Sequence, residues 1–265
     1  MKSVLITGAY GGMGKEATKL LSSLGYRVFA LDIKINEQDE NIFPIECDIT
    51  SEKSILDAYE RVKENTKELC AIIHFAGIYM LDSLVEMNTD SFKKIFDINL
   101  NGVYLINKIF LPLLKKDSRI IITTSELAPL DPLPFTGIYA ITKGALDKYA
   151  YSLRMELQLL GIKVSVLRAG AVKTNMLGAS TKALDEFCEK TKLYSCNATR
   201  FKAIVDKVEA RNIPPSRIAK KALKILNKRK PKFAYSINRN PLLLMLNVLP
   251  KRTQLWIIGK ILKSK

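Results

Sequence analysis

Histidine is nearly absent from the chain, with 1 in 265 residues, beside 4 cysteines and 1 tryptophan. Cys47, Cys70, Cys188 and Cys196 form no CxxC pair. That scarcity argues against a Cys/His zinc site, and no metal is expected. Reduced structural thiols are the expected state. No uninterrupted apolar run reaches the length of about 18 residues that reads as a membrane-spanning helix. The opening "MKSVLITGAY" has too short an apolar run for a secretory leader and flows straight into glycines, so a cytoplasmic location is expected. Acidic side chains are missing from one end. Residues 181–265 hold 21 Lys/Arg against 5 Asp/Glu, and none of the acids follows Glu209. Residues 1–180 balance at 21 and 21, so the net charge of +16 sits in the last third. Such asymmetry implies an anionic partner for that segment.

What is present is a regular alternation. Apolar, β-rich runs at Ser3–Thr7, Arg27–Asp32, Ile42–Cys47, Leu69–Phe75, Arg119–Thr124 and Lys163–Arg168 read as strands buried on both faces. Between them, Met13, Ala17, Leu20, Leu21 and Leu24 share a helical face that ends at Gly25. Longer helical patterns cover about 91–114 and about 139–160. Beyond Thr174 the pattern turns helical over about 181–228, broken at Pro214-Pro215, with a short strand at Phe233–Ile237. The expected fold class is α/β: a Rossmann-like doubly wound parallel sheet with a helical C-terminal substrate or membrane lobe. We read one domain over 1–265, with the dinucleotide-binding and catalytic core in 1–175 and a basic, apolar covering lobe in 176–265.

"VLITGAYGGMGKEATKLL" is a strand, a glycine loop and a helix, with Gly8, Gly12 and Gly14 spaced G-x-x-x-G-x-G. Glycines let the backbone approach a pyrophosphate at a helix N-terminus, where unpaired N–H groups favour anions. Asp32 ends the second strand. A carboxylate there accepts hydrogen bonds from a ribose diol and repels a 2′-phosphate, which favours NAD over NADP; Lys34, close by, works against that preference.

"FTGIYAITKGAL" places Tyr139 and Lys143 four residues apart, on one helix face. With Thr7-Gly8-x-x-x-Gly12-x-Gly14 upstream, Asn99 in "DINLNG" and Ser125 closing "IIITTS", the chain resembles the short-chain dehydrogenase/reductase family over about 1–175. The resemblance implies a catalytic tetrad of Asn99, Ser125, Tyr139 and Lys143. It also implies a dinucleotide held by Gly8, Tyr10, Gly12, Met13, Gly14, Asp32, Asp48, Ile49, Ala76, Gly77, Tyr139, Lys143, Val172 and Thr174. A phenol has a pKa of about 10, so acting near pH 7 requires about 4 kcal/mol of added phenolate stabilisation. The Lys143 cation and an oxidised nicotinamide are the expected sources.

Three departures from the family pattern stand out. His74-Phe75 replaces the usual Asn-Asn, and a structural histidine hydrogen-bonded to a neighbouring strand is expected. Ala169 stands where proline is common, which loosens the following turn. Ser125 precedes Tyr139 by 14 residues, one more than usual in the family, which would select Glu126. Ser125 is retained because a hydroxyl can donate to a developing alkoxide and a carboxylate repels it.

The tail "NPLLLMLNVLPKRTQLWIIGKILKSK" combines apolar bulk, a tryptophan and lysines. It suits the boundary of an anionic membrane through residues 240–265; packing on the core or on a second subunit is the alternative. Nucleic acid is not expected, because few aromatics are free to stack on bases. The tail is similar to those of family members acting on steroids, retinol and lipid-like alcohols, which implies a hydrophobic alcohol or ketone as substrate. Polar carbonyl substrates of sugar or 3-oxoacyl type, or a non-catalytic NAD-sensing scaffold, are the alternatives. The two long helical patterns resemble the family's four-helix interface, implying a homodimer or homotetramer.

Overall fold

The computed structural model describes residues 1–35, 40–209 and 211–263, with the backbone alone described at 175–181 and 206–209. Seven strands form one parallel sheet: β1 (Ser3–Thr7), β2 (Arg27–Asp32), β3 (Ile42–Glu46), β4 (Leu69–His74), β5 (Leu114–Ser125), β6 (Lys163–Ala169) and β7 (Ala234–Ile237). Their order is β3-β2-β1-β4-β5-β6-β7, so the chain reverses direction across the sheet between β1 and β4. Ligands of such sheets bind outside the strand C-termini at that switch point.

The apolar runs bury both faces. One core packs Leu5, Phe29, Ile72, Ile120 and Val166 under α2 (Glu52–Asn65), α4 (Gly102–Phe110) and α5 (Gly137–Leu157). The other packs Val4, Ile6, Ala30, Ile73 and Leu167 under α1 (Gly12–Ser23) and α8 (Pro215–Leu226). Each fully buried Leu, Ile or Phe contributes about 1.5–3 kcal/mol. Gly25 adopts φ +77°, the left-handed conformation that stops α1.

Several boundaries differ from the sequence reading. β3 stops at Glu46 and β4 at His74, while β5 extends from Leu114 through Ser125. The expected helix over 91–114 is α3 (Thr89–Phe96), a π-turn at Asp97–Asn101, α4, and a 3₁₀ turn ending at Leu113. His74 bonds a helix, not a strand: its Nε2 lies 2.9 Å from Asn107 Oδ1. Burial pushes its pKa down to about 4, so the ring is neutral. The turn after Ala169 is held at both sides, because Glu126 N–H donates to the Ala169 carbonyl at 2.9 Å and Gly170 N–H to Ile237 at 3.0 Å. Residues 215–237, assigned from sequence to the lobe, supply α8 and β7 to the sheet layers.

The remaining C-terminal helices stand over the strand ends. They are α6 (Asn175–Lys190), α7 (Ser195–Glu209), α9 (Pro241–Val248) and α10 (Lys251–Leu262). Leu81, Leu184, Phe187, Ala198, Phe201 and Leu262 form a third small core there. Asp82 pairs with Lys190 at 2.6 Å. Glu86 accepts from Thr191 Oγ1 at 2.6 Å and Lys192 N–H at 2.8 Å, tying the loop between α6 and α7 to the segment between β4 and α3 (Thr89–Phe96).

Candidate active site between two cavities

The glycine loop is shaped by close approach. Gly8 has φ +65°, and a Cβ there would fall 2.5 Å from Ala76 N; a Cβ on Gly14 would fall 1.9 Å from Gly8 O. No side chain larger than hydrogen fits either place. The loop ends at Gly11, which caps α1 without a side-chain bond, so the helix N-terminus faces the cleft with its backbone donors. The cleft measures about 780 Å³ and is lined by Gly8, Gly12, Gly14, Asp32, Asp48 and Gly77, with Met13, Ile49, Ala76 and Thr174 also on its walls. This cradle fits a dinucleotide: room, a bare backbone at the helix terminus, and acids where a ribose and a base would lie.

Asp32 is fixed by two backbone donors. Oδ2 accepts from Tyr10 N–H at 2.9 Å and Oδ1 from Ile33 N–H at 2.8 Å. Asp48 Oδ1 accepts from Thr50 N–H at 2.9 Å and its hydroxyl at 2.7 Å, an Asx turn that uses only one of the two carboxylate oxygens. Lys34 is exposed. Thr174, also on the cleft wall, has side-chain atoms against Gly12, whereas Val172, which forms a parallel bridge with Ile213, lines the second cavity and not the cleft.

A second cavity of about 490 Å³ lies against the first and shares Met13, Tyr79 and Thr174 with it. Its walls are mostly apolar, with Leu127, Leu133, Phe201, Leu243, Leu246 and Ile258 among them. Ser125, from the end of β5, and Tyr139, from the first turn of α5, line this second cavity, and the Tyr139 ring packs on Tyr79, which lines both. Ser125 stands beside the Tyr139 phenol and pulls its pKa down as a hydrogen-bonding neighbour, whereas Glu126 Oε2 turns to Asn240 N–H at 2.5 Å. Geometry therefore selects Ser125 over Glu126 as the phenol's partner; the extra residue of spacing is absorbed in the loop before α5.

Burial, and the Tyr79 phenol beside it, hold the Tyr139 hydroxyl well above the ordinary phenol range; the Ser125 bond pulls it partly back. Lys143 is buried one turn along α5, its Nζ 5.7 Å from the Tyr139 ring centre and donating to the Thr123 carbonyl at 3.5 Å. Desolvation pushes its pKa down to about 8, which leaves it mostly charged at pH 7. Asn99 sits in the π-turn. Its Oδ1 accepts from Ile78 N–H at 2.8 Å, while Nδ2 donates to the Ile78 carbonyl at 3.0 Å and Thr142 Oγ1 at 3.2 Å. A Cβ on Gly77 would lie 3.1 Å from Asn99 Oδ1 and 3.3 Å from Lys143 Nζ. A side chain on Gly77 would therefore crowd both.

Two residues of the site escaped the sequence reading. Tyr79 packs on Tyr139 with ring centres 4.8 Å apart; its place two residues after Gly77 was the available clue. Thr142 anchors Asn99 from α5, and nothing in its local pattern marks it. Among the described residues no group of three or more His, Cys, Asp or Glu is placed to hold a metal.

Comparison with known proteins agrees with this geometry. The family model of the short chain dehydrogenases matches residues 2–185. Estradiol 17-beta-dehydrogenase 2 of Mus musculus is 33% identical over 192 residues, covering 67% of this chain and 50% of that protein. The chain thus spans about half the length of the steroid dehydrogenases it matches. The 3-ketodihydrosphingosine reductase of Bacteroides thetaiotaomicron is 25% identical over 255 residues, covering 96% of this chain and 92% of that protein. A short-chain dehydrogenase from Streptomyces avermitilis superimposes with a TM-score of 0.78 at 18% identity, over 98% of this chain and 96% of that one. The chain belongs to the short-chain dehydrogenase family.

Proposed function

We propose that the chain interconverts a hydrophobic alcohol and its carbonyl by hydride transfer with NAD, using Tyr139 as general acid and base. The observation that carries this reading is the position of Tyr139 on the wall of the apolar cavity, against Tyr79 that also lines the glycine-loop cleft, with Ser125 beside it and Lys143 one turn away. A bound dinucleotide would accept hydride from the substrate carbon or return it. Ser125 holds the substrate oxygen, Tyr139 takes or gives its proton, and Lys143 favours the phenolate by its charge. Asn99 shapes the space beside Lys143 Nζ, where a water can pass protons outward. Tyr139→Phe should abolish turnover and leave dinucleotide binding intact; normal turnover in that variant would remove Tyr139 from the chemistry.

Asp32 supports NAD, because its carboxylate is held in place and would meet a 2′-phosphate as a like charge. The apolar cavity walls support a steroid-, retinol- or lipid-like substrate over a sugar. The names of the two relatives, one a steroid and one a sphingoid reaction, point the same way.

The tail divides its apolar residues. Leu243, Leu246, Ile258 and Leu262 line the cavity, while Met245, Val248, Leu255 and Trp256 are 63–85% exposed. Exposed Lys251, Arg252 and Lys260 flank that outer face. This pattern supports docking of residues 240–265 on an anionic membrane surface, so that a lipid-like substrate enters beneath α9 and α10. No described helix is long and apolar enough to cross a membrane, and peripheral docking from the cytoplasmic side is the location we assign. Exposed Tyr104 on α4 with Tyr151 and Met155 on α5 supports pairing of two chains along these helices, as a homodimer or homotetramer.

A further inference from the structure

Glu126 is the one charged side chain among the described residues that line the apolar cavity. It follows Ser125 directly in the chain, and the proposed chemistry gives it no task. One oxygen, Oε2, accepts the Asn240 N–H that begins α9. The other, Oε1, lies against Gly170, where a Cβ would come within 2.9 Å. Among the described ion pairs none involves Glu126; Arg239 acts on it only from longer range. A carboxylate accepts at about four lone-pair positions, and most of these are left open. Burial raises its pKa, and the Asn240 N–H and the more distant Arg239 offset this only in part.

We infer that Glu126 makes this cavity a site for alcohols or ketones that carry a protonated amine one or two carbons from the reacting carbon, on an otherwise hydrocarbon body. The inference rests on the proposed alcohol–carbonyl reaction and names its substrate class more closely. Ser125 and Glu126 are consecutive and both line this cavity, so groups on neighbouring or next-neighbouring carbons of one substrate can address both. With the substrate oxygen on Ser125, an ammonium at such a carbon reaches the open side of the Glu126 carboxylate. The charge-assisted bond offsets the cost of the buried anion. The same cation, lodged beside Tyr139, favours the phenolate and so assists proton removal. A neutral alcohol brings neither benefit. The hydrocarbon body then lies along Leu133, Leu243, Leu246 and Ile258, under the tail helices.

The test compares 2-aminododecan-3-ol with dodecan-3-ol, both with NAD, on the wild-type chain and on Glu126→Gln. The glutamine carbonyl still accepts the Asn240 N–H, so the start of α9 stays anchored while the charge is removed. The expected result is a kcat/KM ratio of at least tenfold in favour of the amino alcohol, about 1.4 kcal/mol, that collapses toward one in Glu126→Gln. The wild-type preference should also fade as pH drops through the carboxylate's titration. Equal kcat/KM for the two alcohols in wild type, or an unchanged ratio in the variant, overturns the assignment to Glu126 and leaves the alcohol–carbonyl reaction standing. Calorimetric titration of both compounds separates the other case. Amine-selective binding that Glu126→Gln abolishes, without turnover, keeps the Glu126 site and defeats the reaction. Neither binding nor turnover defeats both.

Discussion

Asn99 holds Ile78 by both of its backbone groups, accepting the N–H at 2.8 Å and donating to the carbonyl at 3.0 Å. The π-turn at Asp97–Asn101 makes this possible, because one widened turn aims the amide across to the end of β4. The clamp fixes the segment after β4 that carries Gly77, where a side chain would crowd both Asn99 and Lys143. Asn99→Ala leaves the Ile78 N–H without its partner and should cost about 1–3 kcal/mol of stability. Turnover should fall by at least tenfold, through loss of the amide that shapes the water position beside Lys143 Nζ. Thermal unfolding and steady-state kcat measured on one preparation check both parts; an unchanged kcat would take Asn99 out of the proton path.

Lys143 is a strained choice for the fold. Burial lowers its pKa from 10.5 to about 8, so near pH 7 the folded protein retains a charge that it holds less well than the unfolded chain does. Unfolded Lys143 binds its proton up to about pH 10.5, and the folded side chain releases it from about pH 8. Stability therefore rises with pH across that window, and the penalty is fully present below pH 8. A shift of this size is worth about 3 kcal/mol. Lys143→Met should raise stability at pH 7 by up to that amount, abolish turnover, and lose its advantage over wild type near pH 10.5. Chemical denaturation at pH 7 and pH 10 measures the difference. A destabilised variant at pH 7 would mean that the ammonium has better partners than the Thr123 carbonyl.

Cofactor choice should follow Asp32. Its carboxylate is locked by Tyr10 and Ile33, so it cannot swing away from an incoming 2′-phosphate. Asp32→Asn keeps an acceptor oxygen and removes the charge. The NAD-to-NADP ratio of kcat/KM should drop at least tenfold, mainly through KM for NADP. If wild type and Asp32→Asn show the same ratio, the exposed Lys34 governs the choice instead.

Much of this site is legible in the amino-acid sequence. The β1–loop–α1 unit is local: apolar strand, glycine spacing and amphipathic helix all lie within one stretch, and the close approaches at Gly8 and Gly14 explain why those positions are bare. Tyr139 and Lys143 are legible for the same reason, being one turn apart on α5. The π-turn is not legible, because one inserted residue barely shifts the helical spacing of apolar side chains between Thr89 and Phe110. Nor is the return of α8 and β7 to the sheet. Ile218, Ala222 and Ile225 form an ordinary amphipathic face whose partner, α1, lies some 200 positions upstream. The two faces of the tail, one toward the cavity and one outward, likewise depend on where Glu126 and Asp131 anchor it. Asp131 pairs with Lys251 and its N–H donates to Asn247 at 2.6 Å. His74 bonds across to Asn107 on α4, a contact that no pattern within β4 announces.

Membrane docking makes a claim about residues that do not line the cavity. Leu255 is 71% and Trp256 63% exposed on α10, beside Lys251, Arg252 and Lys260. Each Lys or Arg near an anionic surface adds about 1 kcal/mol, and the attraction weakens with salt as the Debye length shrinks. The chain should co-sediment with vesicles of phosphatidylserine and phosphatidylcholine, and much less with phosphatidylcholine alone. Leu255→Asp combined with Trp256→Asp should weaken vesicle binding at least tenfold. The charged pair would have to enter the headgroup boundary, yet the cavity walls at Ile257 and Ile258 stay in place. Turnover of a water-soluble alcohol should therefore persist in the double variant while turnover of vesicle-borne substrate falls. Equal sedimentation of wild type and double variant would assign the outer face to a second copy of the chain, and light scattering of the two proteins would then differ in mass.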